Sequence, residues 1–132
     1  MGEAEVGVAE ERRLMKKAAV ESAVEAVRCI EKILGQVSAA VIGSYARGDF
    51  NRWSDIDLLV VSPNFTPNPL NRLEQLANVL KKYPSLEIMP LTPQEFQRQR
   101  KLKTPMVEEV IQKGVIITDE LNIFESLKQL NI

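Results

Sequence analysis

The chain has 132 residues, 45% of them hydrophobic and 27% charged, which is the composition of a folded domain rather than of a disordered or fibrous protein. Its 17 basic and 18 acidic residues nearly cancel, which argues against an extended basic surface for duplex nucleic acid. With no histidine and one cysteine, the chain cannot form a histidine-dependent triad, an internal disulfide or a thiolate metal cluster. We expect residues 1–132 to form a single domain.

The start of the chain is acidic, with Glu3, Glu5, Glu10 and Glu11 in its first eleven residues. A secretory signal has the opposite charge at this place. No apolar run approaches the roughly 18 residues that a membrane-crossing helix needs. The sequence therefore predicts a cytoplasmic protein that does not enter a membrane.

The first half of the chain predicts one long helix and two strands. Apolar residues recur at helical spacing from about residue 10 to residue 34, where Gly35 is a typical stop signal. The segments "VSAAVIG" (37–43) and "DIDLLVVS" (55–62) are short apolar runs that indicate buried strands.

The second half alternates helices and strands. The loop "PNFTPNP" leads into an amphipathic helix, and two Thr-Pro pairs are typical of helix starts. The predicted elements are a helix over 70–83, a strand over 85–91, helices over 94–102 and from 105 to about 113, a short strand over 115–118 and a closing helix over 122–130. This order predicts an α/β or α+β fold, in which helices cover a small sheet.

Two aspartates open the second strand. Because side chains alternate along a strand, Asp55 and Asp57 lie on one side of it, and Ile56 and Leu58 lie on the other. Two neighbouring carboxylates repel each other unless a cation lies between them. Mg²⁺ prefers oxygen ligands, usually one or two carboxylates together with water and substrate phosphates. The pair therefore indicates a site that binds a metal together with a nucleotide.

A second feature, "GSYARG", ends the first strand. Gly43 lets a phosphate approach the main chain, and a short helical turn after it offers free N–H groups to an anion. Ser44 and Arg47 are three residues apart and share one side of such a turn, so that a hydroxyl and a guanidinium both reach the phosphates. Gly43 and Gly48 could also only shape a loop, Arg47 and Arg52 could be solvated loop arginines, and an Asp-x-Asp pair is common by chance. The combination of these features, rather than any one of them, indicates a site for a metal and a nucleotide.

The stretch "GSYARGDFNRWSDIDLLVV" resembles the signature of the DNA polymerase β-like nucleotidyltransferase superfamily, above all its minimal nucleotidyltransferases. The resemblance is most specific over residues 41–61. It implies a mixed sheet, Mg²⁺-dependent transfer of a nucleoside monophosphate from a triphosphate to a hydroxyl, and release of pyrophosphate. It further implies that Gly43 and Ser44 hold the triphosphate and that Asp55 and Asp57 bind the metal.

The family has a third carboxylate on the next strand, and the matching position here is Glu87, where aspartate is more common. Glu87 stands alone between Leu86 and Ile88, so it is either a third metal ligand and base or an exposed residue at a sheet edge near Pro90. In the two-metal scheme that the resemblance implies, one ion activates the acceptor hydroxyl and the other offsets charge on the leaving pyrophosphate.

Three functions fit these residues. The first is transfer of AMP from ATP, or of another nucleoside monophosphate, to a partner protein; minimal nucleotidyltransferases are antitoxin-type partners of HEPN proteins. The second is transfer to a small molecule or an RNA end, which in relatives generally needs a further domain. The third is a non-catalytic antitoxin that covers its partner. The long first helix also leaves open a second copy of the chain as a partner.

Overall fold

The structure, a computed structural model, describes residues 2–125 and 127, and their side chains from residue 7 onward. Its elements in chain order are α1 (Gly2–Leu34), β1 (Ser38–Ile42), α2 (Gly43–Arg47), β2 (Ile56–Val61), α3 (Arg72–Gln75), α4 (Ala77–Lys82), β3 (Leu86–Leu91), α5 (Pro93–Leu102), α6 (Pro105–Gln112) and β4 (Val115–Asp119). None of the described helices is both long enough and apolar enough to cross a membrane.

The four strands form one mixed sheet in the order β3-β2-β1-β4. β1 pairs antiparallel with β2 on one side and with β4 on the other, whereas β2 and β3 run parallel. The central strands are apolar on both sides because helices cover both faces of the sheet. The predicted fold, a small mixed sheet flanked by helices, is confirmed.

Each face of the sheet has its own hydrophobic cluster. On one face α1 packs on alternate residues of the strands, among them Val41, Leu58 and Val60. On the other face α5 and α6 cover the intervening residues, such as Ile42 and Leu59. Since Asp57 lies between Ile56 and Leu58 on β2, its side chain belongs to the α5 and α6 face.

Two helices differ from their prediction. The first begins at Gly2 rather than near residue 10, since Ala and Glu in this segment favour helix and acidic side chains suit a helix start. The helix predicted over 70–83 is divided into a 3₁₀ turn (Pro69–Asn71), α3 and α4. Its break is at Leu76, which is fully buried and whose N–H bonds back to the carbonyls of Leu73 and Glu74.

The other elements lie close to their predicted positions. Thr92 caps α5 in a reciprocal capping box with Glu95, and Pro93 is its first residue. Thr104 precedes α6, but its side chain makes no capping hydrogen bond. Most of the closing helix predicted over 122–130 lies outside the described residues.

Arg72 is a buried cation that joins the loop before α3 to the end of β3. Its guanidinium is only 2% exposed and pairs with both carboxylate oxygens of Glu95, at 2.5 and 3.2 Å. It also donates to the carbonyls of Thr66, Pro67 and Pro90. The hydrogen bond from Arg72 is the main reason that the pKa of Glu95 is lowered. No sequence pattern predicted this pair, because an arginine in an amphipathic segment is normally exposed.

We predict that Arg72→Met lowers the free energy of unfolding by about 3 kcal/mol, because three carbonyls and a carboxylate lose their donor inside the protein. Denaturant unfolding followed by circular dichroism measures the change. Arg98→Met is the matched control, since Arg98 is an exposed arginine of α5 and its loss should cost less than about 0.5 kcal/mol. Equal losses in the two variants would contradict a structural role for Arg72.

Candidate active site

The register of the sheet places two of the predicted site residues side by side. On β2, Asp57 pairs with Ile42 of β1 and with Glu87 of β3. Glu87 is therefore the neighbour of Asp57 on a parallel strand, with both side chains on one face of the sheet. Glu87 is also exposed on an edge strand. Its position therefore agrees both with a metal ligand and with an exposed residue at the sheet edge.

Gly43 lies against the Asp57 side chain. Its φ is +75°, and a Cβ built on it would lie 2.0 Å from Oδ2 of Asp57. Both the backbone conformation and the close approach therefore require glycine at this position. The predicted helical turn after Gly43 is present as α2, in which Ser44 is the second residue and Arg47 the last.

The carboxylates form an acidic group around Asp57. Burial, followed by repulsion from Glu87, Asp55 and Glu109, raises the pKa of Asp57, and the nearby Arg47 guanidinium partly opposes this change. Asp55 and Glu87 are exposed, whereas Asp57 is half-buried. The structure thus brings Asp55, Asp57 and Glu87 to the same edge of the sheet, together with Arg47.

Glu109 is a site residue that the sequence analysis did not identify. One of its oxygens, Oε1, accepts a hydrogen bond from the Gly43 N–H at 2.5 Å and from Arg47 Nη1 at 2.9 Å. Its helix, α6, is held against the sheet by the buried side chains of Val107 and Val110. No sequence pattern pointed to Glu109, because a Glu-Glu pair on an amphipathic helix is typical of a solvated surface.

Contacts from α1 fix the loop between α2 and β2. Arg12 donates to the carbonyl of Gly48 at 2.7 Å and lies over the ring of Phe50 at 4.3 Å. Tyr45 stacks on Phe50 with 4.4 Å between ring centroids and is buried in the core. Trp53 is 86% exposed.

A cleft of about 420 Å³ lies on the α1 face of the sheet. Its lining includes Tyr45, Arg52, Lys82 and Tyr83, and none of the three predicted carboxylates. The acidic group is on the opposite face and is open to solvent, so the cleft is separate from it.

The donor set around Asp57 consists of oxygen atoms, the ligand type that Mg²⁺ prefers. Within residues 7–125 and 127, however, no three carboxylate or thiol groups converge closely enough to enclose a metal ion by themselves. A cation bound here therefore takes part of its coordination from water or from substrate phosphates. This agrees with the usual coordination of Mg²⁺ in nucleotide sites.

We predict that Gly43→Ala destabilises the protein more than Gly48→Ala. Both glycines have a positive φ, of 75° and 94°, so each alanine carries strain of about 1 to 2 kcal/mol. Only Gly43 faces a side chain, since nothing lies within 4 Å of a Cβ at Gly48. Overpacking adds about 1 to 3 kcal/mol to the Gly43 variant. Denaturant unfolding measures the free energy that each variant loses. Equal losses in the two variants would show that the Asp57 side chain does not clash with a Cβ at position 43.

We predict a pH-dependent stabilisation by Asp57→Asn. Because the folded-state pKa of Asp57 lies above its ordinary value of 3.8, the native chain loses stability as pH rises through the folded pKa. In metal-free buffer, Asn should raise the free energy of unfolding at about pH 7 and have little effect at about pH 3, where Asp57 is protonated. Asp49→Asn, at an exposed loop position, is the control. A change that is independent of pH would contradict the raised pKa.

Comparison with known proteins gives a family and a fold. The model of the nucleotidyltransferase domain family matches residues 20–117, most of the chain. No curated protein sequence matches it. The fold is similar to that of a protein from Sulfolobus solfataricus described as a nucleotidyltransferase, with a TM-score of 0.59, 20% identity, and coverage of 80% of this chain and 84% of that one.

Two further similar structures are toxin–antitoxin proteins. One is a mutant of the MntA–HpeT toxin–antitoxin, with a TM-score of 0.54, 18% identity, and coverage of 81% of this chain and 82% of that one. The other is a toxin–antitoxin with AMP-PNP, with a TM-score of 0.54, 20% identity, and coverage of 84% and 83%. At these identities the structures show a shared fold, whereas the family match covers the strands and turn that surround Asp57. The chain thus belongs to the nucleotidyltransferase domain family and is a nucleotidyltransferase.

Proposed function

We propose that this nucleotidyltransferase moves AMP from ATP to a hydroxyl group of a partner protein. The observation that carries the proposal is the position of Asp57, which contacts the main chain at Gly43 and pairs with Glu87 across β2 and β3. This arrangement places the start of the phosphate-binding turn directly beside the carboxylates.

We assign metal binding to Asp55, Asp57 and Glu87. Their mutual repulsion, which contributes to the raised pKa of Asp57, is the electrostatic condition that a bound cation relieves. When bound, two Mg²⁺ ions supply Lewis-acid activation of the acceptor oxygen and neutralisation of the leaving phosphates. Members of this family generally use divalent metal ions, and the choice of Mg²⁺ and the number of two are part of our proposal.

The protein groups have separate tasks in the transfer. The Gly43 N–H, the Ser44 hydroxyl and the Arg47 guanidinium hold the triphosphate, with its α-phosphorus near the carboxylates. The acceptor oxygen forms a bond to the α-phosphorus, the bond from this phosphorus to the β-phosphate oxygen breaks, and pyrophosphate leaves. Glu87, an exposed carboxylate on the edge strand beside Asp57, takes the proton of the acceptor hydroxyl.

A protein acceptor is supported by the openness of the site and by the similar structures. Asp55 and Glu87 are both exposed, so a hydroxyl on a large partner can reach them. Two of the similar structures are toxin–antitoxin proteins, one of them with AMP-PNP. We accordingly propose ATP as the nucleotide donor and a HEPN-type toxin as the partner and acceptor.

We predict that wild-type protein, incubated with ATP labelled on the α-phosphate, Mg²⁺ and its copurifying partner, labels that partner, and that Asp57→Asn abolishes the labelling. Glu74→Gln is the control, because Glu74 is an exposed carboxylate of α3 and is not part of the proposed site. We expect Glu87→Gln to lower the rate by about 10²-fold or more if Glu87 accepts the proton.

Each alternative function gives a different result in this assay. Labelling of RNA or a small molecule without a partner protein would favour transfer to an RNA end or a small molecule. A partner that is bound and inhibited equally by wild type and Asp57→Asn, with no label on any acceptor, would favour the non-catalytic antitoxin. Equal labelling by both proteins would contradict the catalytic role of Asp57.

A further inference from the structure

Glu109 accepts hydrogen bonds from two of the groups that we propose to hold the triphosphate. A single oxygen of its carboxylate receives hydrogen bonds from the Gly43 N–H and from Arg47 Nη1, at 2.5 and 2.9 Å. A phosphate oxygen bound by this pair would need the same position, because a donor N–H and a guanidinium N–H direct both bonds to one point. The carboxylate and the phosphate therefore exclude each other.

The position of Glu109 has an electrostatic cost. Its carboxylate adds a fourth negative charge to the group formed by Asp55, Asp57 and Glu87. Its hydrogen bonds to Gly43 and Arg47 offset this repulsion. These are the bonds that a triphosphate, which arrives with its own cations, replaces.

The side chain of Glu109 can leave without unfolding its helix. It is 22% exposed, whereas Val107 and Val110 of the same helix are buried and hold α6 on the sheet. Rotation of the side chain toward solvent frees Gly43 and Arg47 and leaves the hydrophobic contacts of α6 in place. Displacement is thus a local side-chain movement.

We propose that Glu109 is a built-in competitor for nucleotide phosphates, which binds the Gly43 N–H and Arg47 until a triphosphate displaces it. As a tethered carboxylate it acts at a high effective concentration, so a single phosphate group that makes few other contacts competes poorly with it. Glu109 thereby lowers the affinity of the site for every ligand whose phosphate must displace it. This inference rests on the proposed function, because it assumes that Gly43 and Arg47 bind the triphosphate.

Calorimetric titration of the full chain with ATP, with Mg²⁺ and separately in EDTA, tests this competition. We expect Glu109→Ala to bind ATP roughly tenfold more tightly than wild type, since a charge-assisted hydrogen-bonded competitor is gone. Glu109→Gln should show a smaller gain, because its amide oxygen still accepts the two hydrogen bonds without the charge. Glu108→Ala, one residue earlier on α6, is the matched control and should bind like wild type.

A second titration with inorganic phosphate measures the same competition with a single phosphate group. We expect phosphate to bind more tightly to Glu109→Ala than to wild type, and Glu108→Ala to behave like wild type. Glu109→Gln keeps the proposal testable if the alanine variant does not fold, because it retains the hydrogen-bonding shape of the side chain.

The outcomes separate this inference from the proposed function. If neither Glu109 variant binds ATP more tightly than wild type, while wild type still labels its partner, the proposed competition is overturned. The proposed transfer function then stands. If no protein binds ATP and none transfers label, both are overturned.

Discussion

The active site depends on where β2 lies in the sheet. β2 runs antiparallel to β1 and parallel to β3, so Asp57 has the end of β1 on one side and Glu87 on the other. A one-residue slip of β2 would turn Asp57 to the α1 face and Leu58 into its place. The buried residues that alternate with Asp57, among them Leu58 and Val60, prevent this slip because they fill the core beneath α1. The same packing that stabilises the sheet therefore positions the carboxylate.

The two faces of the sheet have different roles. The α1 face is a continuous apolar cluster, and Arg12 of α1 also fixes the loop that leads into β2. The α5 and α6 face is apolar over most of its area and acidic at the edge where β2 and β3 begin. Arg72 fixes the opposite end of β3 through Glu95. This end of β3 is thus held by a buried ion pair, although β3 is an edge strand that carries an exposed glutamate.

Charge at this edge is balanced by contacts from distant parts of the chain. Arg47 is the cation beside Asp57, and its guanidinium is shared with Glu109 of α6 and with Asp49 of the loop. Burial and repulsion among the carboxylates raise the pKa of Asp57, and a bound cation would relieve that repulsion. The proposed competition by Glu109 belongs to the same balance, since its carboxylate binds donors that would otherwise be free for phosphate.

The sequence by itself determined the strands, the helical turn after Gly43, the capped helix at Thr92 and the family, because these depend on local periodicity, turn chemistry and a contiguous motif. It also placed Asp55, Asp57 and Glu87 as candidates, whose roles stay predictions. Only the tertiary structure decided that Asp57 contacts Gly43 and that Arg72 is buried against Glu95. It alone also showed that Glu109 binds Gly43 and Arg47. Those contacts join residues 14 to 66 positions apart in the chain, and no local pattern specifies which exposed-looking charge will meet another after the helices pack.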